Sequence, residues 1–181
     1  VFEGKSIKNI GLENYRNKCV SIIFQGYNLL NYMSAIQNIT SAMSIKGIKK
    51  GNNKQYAIDM LKRVGLSEEQ GKQKILTLSG GQQQRVAIAR SILNNSKCIF
   101  ADEPTGALNK KNADILLEIF RKLNTDLEKT IVMVTHDPYV ASYSNKFVYL
   151  KDGRIEKQLI KNDSQKKYYK EIISCLEEYD G

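Results

Sequence analysis

Two short, strongly apolar runs in this sequence each end directly in polar residues. Residues 97–101 are followed by Asp102 and Glu103, and residues 130–135 are followed by His136. Apolar runs of this length are typical of buried strands in a parallel sheet. Because ligands in such sheets bind beyond the carboxyl ends of the strands, we predict that these polar side chains lie at one edge of a common sheet.

Helical patterns alternate with these runs. Apolar residues recur at helical spacing over 56–64, and Ser79 and Asn109 are suited to cap two further helices. Residues 20–24 form another apolar run, which ends at Gln25. Strands that alternate with helices predict an α/β fold with a mostly parallel sheet.

The last part of the sequence has a different pattern, and one earlier stretch has none. Asp152 and Gly153 separate two apolar segments and predict a hairpin turn. Tyr168 and Ile172 begin a run of apolar residues at helical spacing in the tail. Residues 26–52, in contrast, are interrupted by glycines and show no clear periodicity.

Composition narrows the class of protein. No apolar run approaches the roughly 18 residues that a membrane span requires. The net charge of +9 comes mostly from scattered lysines, without the basic stripe and interleaved aromatics of a nucleic-acid-binding surface. Cys19, Cys98 and Cys175 are odd in number and far apart, which fits neither a disulfide framework nor a zinc site and favours a reducing compartment.

Asp102 and Glu103 are the strongest candidates for chemistry. Adjacent carboxylates directly after an apolar strand are costly unless something uses them. An aspartate there can hold Mg²⁺ through water, and a neighbouring glutamate can orient or deprotonate an attacking water. On the residues alone, a solvated turn explains the pair equally well.

The octet at residues 78–85, Leu-Ser-Gly-Gly-Gln-Gln-Gln-Arg, is the second candidate. Two glycines at a helix start leave backbone N–H groups open to an anion, and the helix dipole has the matching sign. An ordinary helix capped by Ser79 is the alternative. His136, taken alone, is also compatible with a local hydrogen-bonding role.

At this octet the sequence resembles the ATPases of the ABC transporter family. Five segments match the family's order of motifs: Gln25 (the Q-loop glutamine), residues 78–85 (the signature motif), residues 98–105 (Walker B and the following glutamate), residues 106–109 (the D-loop) and residues 135–137 (the switch-histidine loop). The resemblance covers roughly residues 1–155.

The resemblance implies a role for each residue of the site. Glu103 is implied as the catalytic base and His136 as the contact to the γ-phosphate. Mg²⁺ is implied at Asp102 and Gln25, partly through water. ATP is the implied cofactor, and the residues implied to bind ATP and its Mg²⁺ are Gln25, Ser79, Gly80, Gly81, Gln82 and Asp102. Ser79, Gly80 and Gly81 would contact the γ-phosphate of ATP held by a second subunit, so the site is expected to require a dimer.

The implied fold is a P-loop NTPase-like (RecA-like) core with an α-helical subdomain. We expect residues 1–181 to form a single ABC ATPase domain fragment with four parts: a β region leading to the Q-loop (1–25), a helical subdomain with the signature motif (26–90), the Walker B, D-loop and switch core (91–155) and a C-terminal tail (156–181).

The phosphate-binding pattern G-x-x-x-x-G-K-[ST] is not found in the sequence. Gly4, Lys5 and Ser6 imitate its end, but the first glycine would lie before residue 1, and the strand at Val20 follows too soon. We therefore expect the N-terminal strand, the phosphate loop and the first helix to be missing. Because that loop holds the β and γ phosphates, the chain as given is expected to be inactive as an ATPase.

The motif wording indicates a branch and its partners. Residues 24–30 and 101–108 most resemble transporters that export peptides, bacteriocins or macrolides, or that release lipoproteins. The implied partners are a second ATPase subunit and a membrane permease of the FtsX/MacB-like class, docked near Leu29, Leu30 and Tyr32, with no nucleic acid. The implied location is cytoplasmic, peripheral on the inner face of the cell membrane.

Two other readings stay open. One is a non-catalytic ABC-like regulatory or dimerisation module, which the missing phosphate loop favours and the intact Glu103 and His136 disfavour. The other is a related DNA-repair-type ATPase, although the sequence contains no sustained heptads of the kind such proteins carry. Asn109, where many family members have Asp, is expected to keep its capping role while altering communication between sites.

Overall fold

The computed structural model describes residues 4, 6–15, 19–94 and 96–180. The chain divides into two compact units, residues 1–134 and residues 135–181. Residues 1–3, 5 and 16–18 of the predicted β region, including Lys5 of the phosphate-loop imitation, lie outside the described residues.

The first unit is built on a parallel sheet of β1 (Val20–Ile23), β2 (Cys98–Asp102) and β3 (Thr130–Val134), in the order β1-β2-β3. The register places Ile23 beside Ala101, and Ala101 beside Met133. All three strands run in one direction, so their carboxyl ends meet at one edge, as the alternating sequence pattern predicts.

The helices of this unit differ widely in length. In chain order they are α1 (Ile7–Ile10), α2 (Leu12–Asn14), α3 (Ala35–Ile45), α4 (Asn53–Arg63), α5 (Glu68–Lys72), α6 (Gly80–Ser91) and α7 (Lys110–Thr125), with short 3₁₀ turns at Ile75–Thr77 and Ile92–Asn94. The described part of residues 1–25 therefore contains two single-turn helices ahead of its strand.

Local sequence sets where these helices begin. Ser34, Ser67 and Ser79 each cap a helix in a reciprocal capping box with the glutamine three residues later. Asn109 caps α7 by accepting a hydrogen bond from the backbone N–H of Asn112. Each cap satisfies backbone donors that a helix start leaves without an intrahelical partner.

The core of the first unit lies on one face of the sheet. Ile23, Ile99 and Ala101 are at most 1% exposed and join a cluster with apolar residues of α3, α4, α6 and α7. On the other face, Ile22 and Phe100 stand beside each other in register and remain 45% and 37% exposed. Among the described residues, the sheet therefore buries one face more completely than the other.

The second unit combines α8 (Pro138–Ala141), the hairpin β4 (Lys146–Lys151) and β5 (Arg154–Ile160), and α9 (Gln165–Asp180). The hairpin turns at Asp152 and Gly153, both with positive φ, as the sequence predicts. Tyr168 and Ile172 of α9 are at most 1% exposed and pack with Phe147. The apolar stripe of the tail thus forms the core of this unit.

No helix in the described ranges combines the length and the apolar character needed to cross a membrane.

Candidate functional site

Strand β2 delivers Asp102 and Glu103 to the carboxyl edge of the sheet. Asp102 is the last residue of β2 and lies opposite Val134 of β3. The backbone N–H of Glu103 donates to the carbonyl oxygen of Val134 at 3.0 Å, which extends the pairing by one residue. Asp102 is exposed and Glu103 is half-buried.

The backbone of Glu103 is held in an unusual conformation. Its φ of +42° lies in the left-handed region, which costs free energy for a residue with a side chain. The turn that follows is closed by the N–H of Gly106, which donates to the Glu103 carbonyl at 3.2 Å. Such strain is typical of positions where the direction of one side chain matters.

Gln25 lies at the same edge, two residues beyond the end of β1. Its side-chain amide nitrogen is 3.5 Å from the position that a Cβ atom on Gly106 would occupy, and the Cβ of Glu103 is 3.8 Å from that position. The structure therefore brings together three of the predicted residues: Gln25, Asp102 and Glu103.

The segment after Gln25 is fixed by an arginine of α6. Tyr27 and Asn28 have φ values of +56° and +50°, and both carbonyl oxygens accept hydrogen bonds from the Arg90 guanidinium. Burial lowers the pKa of Arg90, but an arginine remains charged at neutral pH. A charged, bidentate donor thus holds two left-handed residues in place.

The start of α6, which we call the signature helix, contains the other predicted ATP-binding residues. The Ser79 hydroxyl accepts from the Gln82 N–H, and the Gln82 side-chain oxygen accepts from the Ser79 N–H at 2.8 Å. Ser79 and Gly80 are exposed, whereas Gly81 is buried. The first N–H groups of a helix have no intrahelical acceptor, so this terminus is chemically suited to an anion.

His136 belongs to the second unit, two residues after β3 ends. Its side chain is exposed. Next to it, the Asp137 carboxylate caps α8 by accepting from the Tyr139 N–H at 2.8 Å, and the Thr135 hydroxyl accepts from the Asp137 N–H at 3.1 Å. The loop that carries His136 is therefore fixed on both sides by side-chain caps.

The donor set at the sheet edge fits a nucleotide with Mg²⁺. The exposed Asp102 carboxylate and the amide of Gln25 offer oxygen atoms, which Mg²⁺ prefers. In nucleotide sites Mg²⁺ takes one or two protein ligands and completes its shell with water and phosphate oxygens. Two oxygen-bearing side chains at one edge meet that need.

Several contacting residues were not singled out from the sequence. Arg90 and Gln84 of the signature helix reach backbone carbonyls after β1 and after β2, at Tyr27 and at Pro104. Asn112 of α7 packs against Gly81. All these partners are distant in sequence, and only the position of Gln84 inside the octet could have drawn attention to it.

Comparison with known proteins identifies the family of this arrangement. The ABC transporter family model matches residues 1–106. The uncharacterized ABC transporter ATP-binding protein YclH of Bacillus subtilis is 48% identical over 153 residues, which cover 84% of this chain and 68% of that protein. The macrolide export ATP-binding/permease protein MacB of Syntrophobacter fumaroxidans is 39% identical over 160 residues. The match covers 86% of this chain but only 22% of that longer protein.

The fold of the chain is similar to that of a solved ATP-binding cassette. The chain resembles the ATP-binding cassette MJ0796 of Methanocaldococcus jannaschii, solved as a dimer in a post-hydrolysis state bound to ADP and Pi. The TM-score is 0.73 at 35% sequence identity, over 87% of this chain and 68% of that one. The α/β cassette fold predicted from the sequence is thereby confirmed. The chain belongs to the ABC transporter family.

Proposed function

We propose that this chain is part of the ATP-binding and ATP-hydrolysing subunit that energises an ABC transporter. The observation that carries the proposal is the common edge of the sheet, where Gln25, Asp102 and Glu103 come together. Family membership supplies the expectation that this edge receives ATP.

Each side chain has a chemical task in this proposal. ATP with Mg²⁺ supplies the phosphoryl group that is transferred to water. The Asp102 carboxylate, with Gln25 partly through water, would hold the metal ion. The Glu103 carboxylate orients the attacking water and accepts its proton. His136 donates a hydrogen bond to the terminal phosphate and stabilises the charge that develops there.

The signature helix serves a second copy of the protein. Ser79 and Gly80 are exposed at a helix start whose N–H groups suit a phosphate, and the buried Gly81 follows them. The related cassette MJ0796 is dimeric. We propose that two subunits pair so that this helix start of each meets the nucleotide bound at the sheet edge of the other.

A membrane permease is the second proposed partner. Tyr32 is 71% exposed and Leu30 is 39% exposed, while Leu29 packs against the core. The side chain of Asn38 bonds to both the N–H and the carbonyl of Leu30 and fixes this loop. Tyr32 and Leu30 are therefore the better candidates for contact with a permease, whereas Leu29 anchors the loop to the core.

A relative that combines an ATP-binding part with a permease supports a proposal for cargo class and location. The related MacB is named for macrolide export and carries its permease in one chain. We propose export of peptide, antimicrobial or lipophilic cargo, with the ATPase subunit peripheral on the cytoplasmic face of the membrane.

The proposal is tested by measuring phosphate release from Mg-ATP by the protein expressed from its complete reading frame. Wild-type protein should hydrolyse ATP, and Glu103→Gln should lower kcat by at least about 100-fold because the proton acceptor is lost. Asp59→Asn, which changes an exposed carboxylate on α4, should leave the rate unchanged. Wild-type protein that releases no phosphate, or a Glu103→Gln variant with normal turnover, would contradict the proposal.

A further inference from the structure

Gln84 links the signature helix to the turn that carries Glu103. The Gln84 side chain is 0% exposed, and its amide nitrogen donates to the carbonyl oxygen of Pro104 at 3.0 Å. Pro104 directly follows Glu103. A glutamine amide has no place in a closely packed interior unless it serves a polar partner, and here that partner is one residue from the carboxylate of the site.

The turn requires such a partner because Glu103 is strained. Its φ is +42°, and the proline after it disfavours the right-handed helical conformation. On its amino side, Glu103 is fixed by its N–H bond to Val134 of β3. On its carboxyl side, the hydrogen bond from Gln84 fixes the Pro104 carbonyl, which belongs to the peptide group between Pro104 and Thr105. Two anchors on opposite sides hold the Glu103 backbone in a conformation that it would otherwise leave.

We propose that Gln84 is a positioning residue for Glu103, which aims the carboxylate at the attacking water through the Pro104 carbonyl. The inference rests on the proposed function, because it assigns a role within that same reaction. Gln84 is buried and is not itself placed at the nucleotide, so its loss should affect turnover rather than ATP binding.

The position of Gln84 also connects two surfaces of one subunit. Gln84 lies five residues after Ser79, on the helix whose start is proposed to meet the nucleotide of the second copy. Its side chain bonds to the turn that is proposed to serve the subunit's own nucleotide. A displacement of the signature helix along its axis would therefore pull directly on the Glu103 turn.

The two polar atoms of the Gln84 amide determine which substitution tests the proposal best. In the part of the chain that the structure describes, the Gln84 side-chain oxygen is buried without a hydrogen-bond partner. Gln84→Met removes this orphan acceptor together with the donor and keeps an unbranched side chain of similar length. Folding should thus be largely preserved, while the Pro104 carbonyl loses its anchor.

Gln83 provides a matched control. It is the adjacent residue of the same type, and its amide donates to the Leu78 carbonyl at 2.9 Å, at the start of the helix rather than at the Glu103 turn. Gln83→Met therefore removes the same chemical group from the same helix without touching Pro104.

The test compares wild type, Gln84→Met and Gln83→Met in the protein expressed from its complete reading frame. We expect Gln84→Met to lower kcat for ATP hydrolysis on the order of tenfold while KM changes less than about twofold, because a misaimed group slows the reaction without weakening binding. Hydrogen exchange should accelerate at the N–H groups of Gly106 and Leu108, which close this turn. Gln83→Met should match wild type in both measurements.

Specific outcomes overturn the inference. A Gln84→Met variant with wild-type kcat and unchanged exchange in the turn refutes it, and so does an equal loss in both variants. If Gln84→Met does not fold, Gln84→Leu, which also lacks the donor, takes its place. If wild-type protein hydrolyses no ATP, the proposed function fails and the inference fails with it. If Glu103→Gln abolishes hydrolysis but Gln84→Met does not slow it, the inference alone is wrong.

Discussion

A Cβ atom on Gly81 would lie 2.7 Å from the side-chain Cγ of Asn112, a distance that real Cβ atoms essentially never show. The first turns of α6 and α7 therefore meet where only glycine fits. Asn109, which caps α7, accepts hydrogen bonds from both nitrogens of Asn112 and holds its side chain against α6. Asn112 thus links Asn109, at the end of the D-loop, to the signature helix within one subunit.

Gly81→Ala should lower the free energy of unfolding by about 1–3 kcal/mol, because the added methyl group forces α6 and α7 apart. The measurement is urea unfolding followed by circular dichroism. Gly26→Ala is the control, since a Cβ there meets nothing within 4 Å. In an Asn112→Ala background the cost of Gly81→Ala should shrink, and equal costs in both backgrounds would contradict the contact.

Arg90→Met should destabilise the protein and impair ATP hydrolysis together. It removes the guanidinium from the carbonyl oxygens of Tyr27 and Asn28 and leaves two left-handed residues without their anchor. Lost hydrogen bonds to part-buried groups cost about 1–3 kcal/mol. The readouts are urea unfolding and the steady-state rate of phosphate release.

Arg85→Met is the matched control for this prediction. Arg85 donates to the carbonyls of Val64 and Gly65 at the end of α4, and to the Gly81 carbonyl within α6 at 3.3 Å. None of these three partners lies in the segment after Gln25, so Arg85→Met should lower stability but reduce kcat per folded molecule less than Arg90→Met does. An Arg90 variant that loses stability yet keeps full turnover would show that the segment after Gln25 needs no anchor.

Much of the fold was predictable because periodicity and caps are local signals. Ser79 and Asn109 begin α6 and α7 as predicted, and the strand after residue 97 ends at Asp102. Helix α3 (Ala35–Ile45) was missed within residues 26–52, although Ser34 and Gln37 form a capping box at its start. The glycines farther along that stretch obscured the short periodic run.

The site was only partly predictable, for a physical reason. Motif order identified Gln25, Asp102 and Glu103, and the parallel strands bring them to one edge. The contacts that fix these residues come from side chains far away in sequence, such as the 62-residue separation between Arg90 and Asn28. Such partners follow from packing rather than from any local pattern. The roles assigned to these three residues, and to Ser79 and His136, stay predictions.

Tyr168 should make stability depend on pH in the alkaline range. Burial raises the pKa of its phenol, whose hydroxyl donates to the Leu159 carbonyl at 3.1 Å. The folded state therefore keeps a proton that the unfolded chain loses above its ordinary pKa of about 10. Because the unfolded state then binds fewer protons, the free energy of unfolding falls as pH rises from there through the folded pKa.

Tyr168→Phe isolates this effect, since it keeps the buried ring and removes the ionisable group. The stability difference between wild type and variant should shrink as pH rises above about 10, measured by urea unfolding at matched ionic strength. A difference that stays constant with pH would show that Tyr168 titrates alike in both states.

ATP-dependent dimerisation of the Glu103→Gln variant tests the composite site most directly, measured by sedimentation velocity on the protein from its complete reading frame. The bound nucleotide should persist in this variant, because the loss of the Glu103 carboxylate is expected to block hydrolysis. With Mg-ATP, the variant should shift from monomer to dimer, and adding Ser79→Arg at the exposed start of the signature helix should abolish that shift. A Glu103→Gln variant that stays monomeric with ATP, or a double variant that dimerises equally well, would contradict a nucleotide shared between the sheet edge of one copy and the signature helix of another.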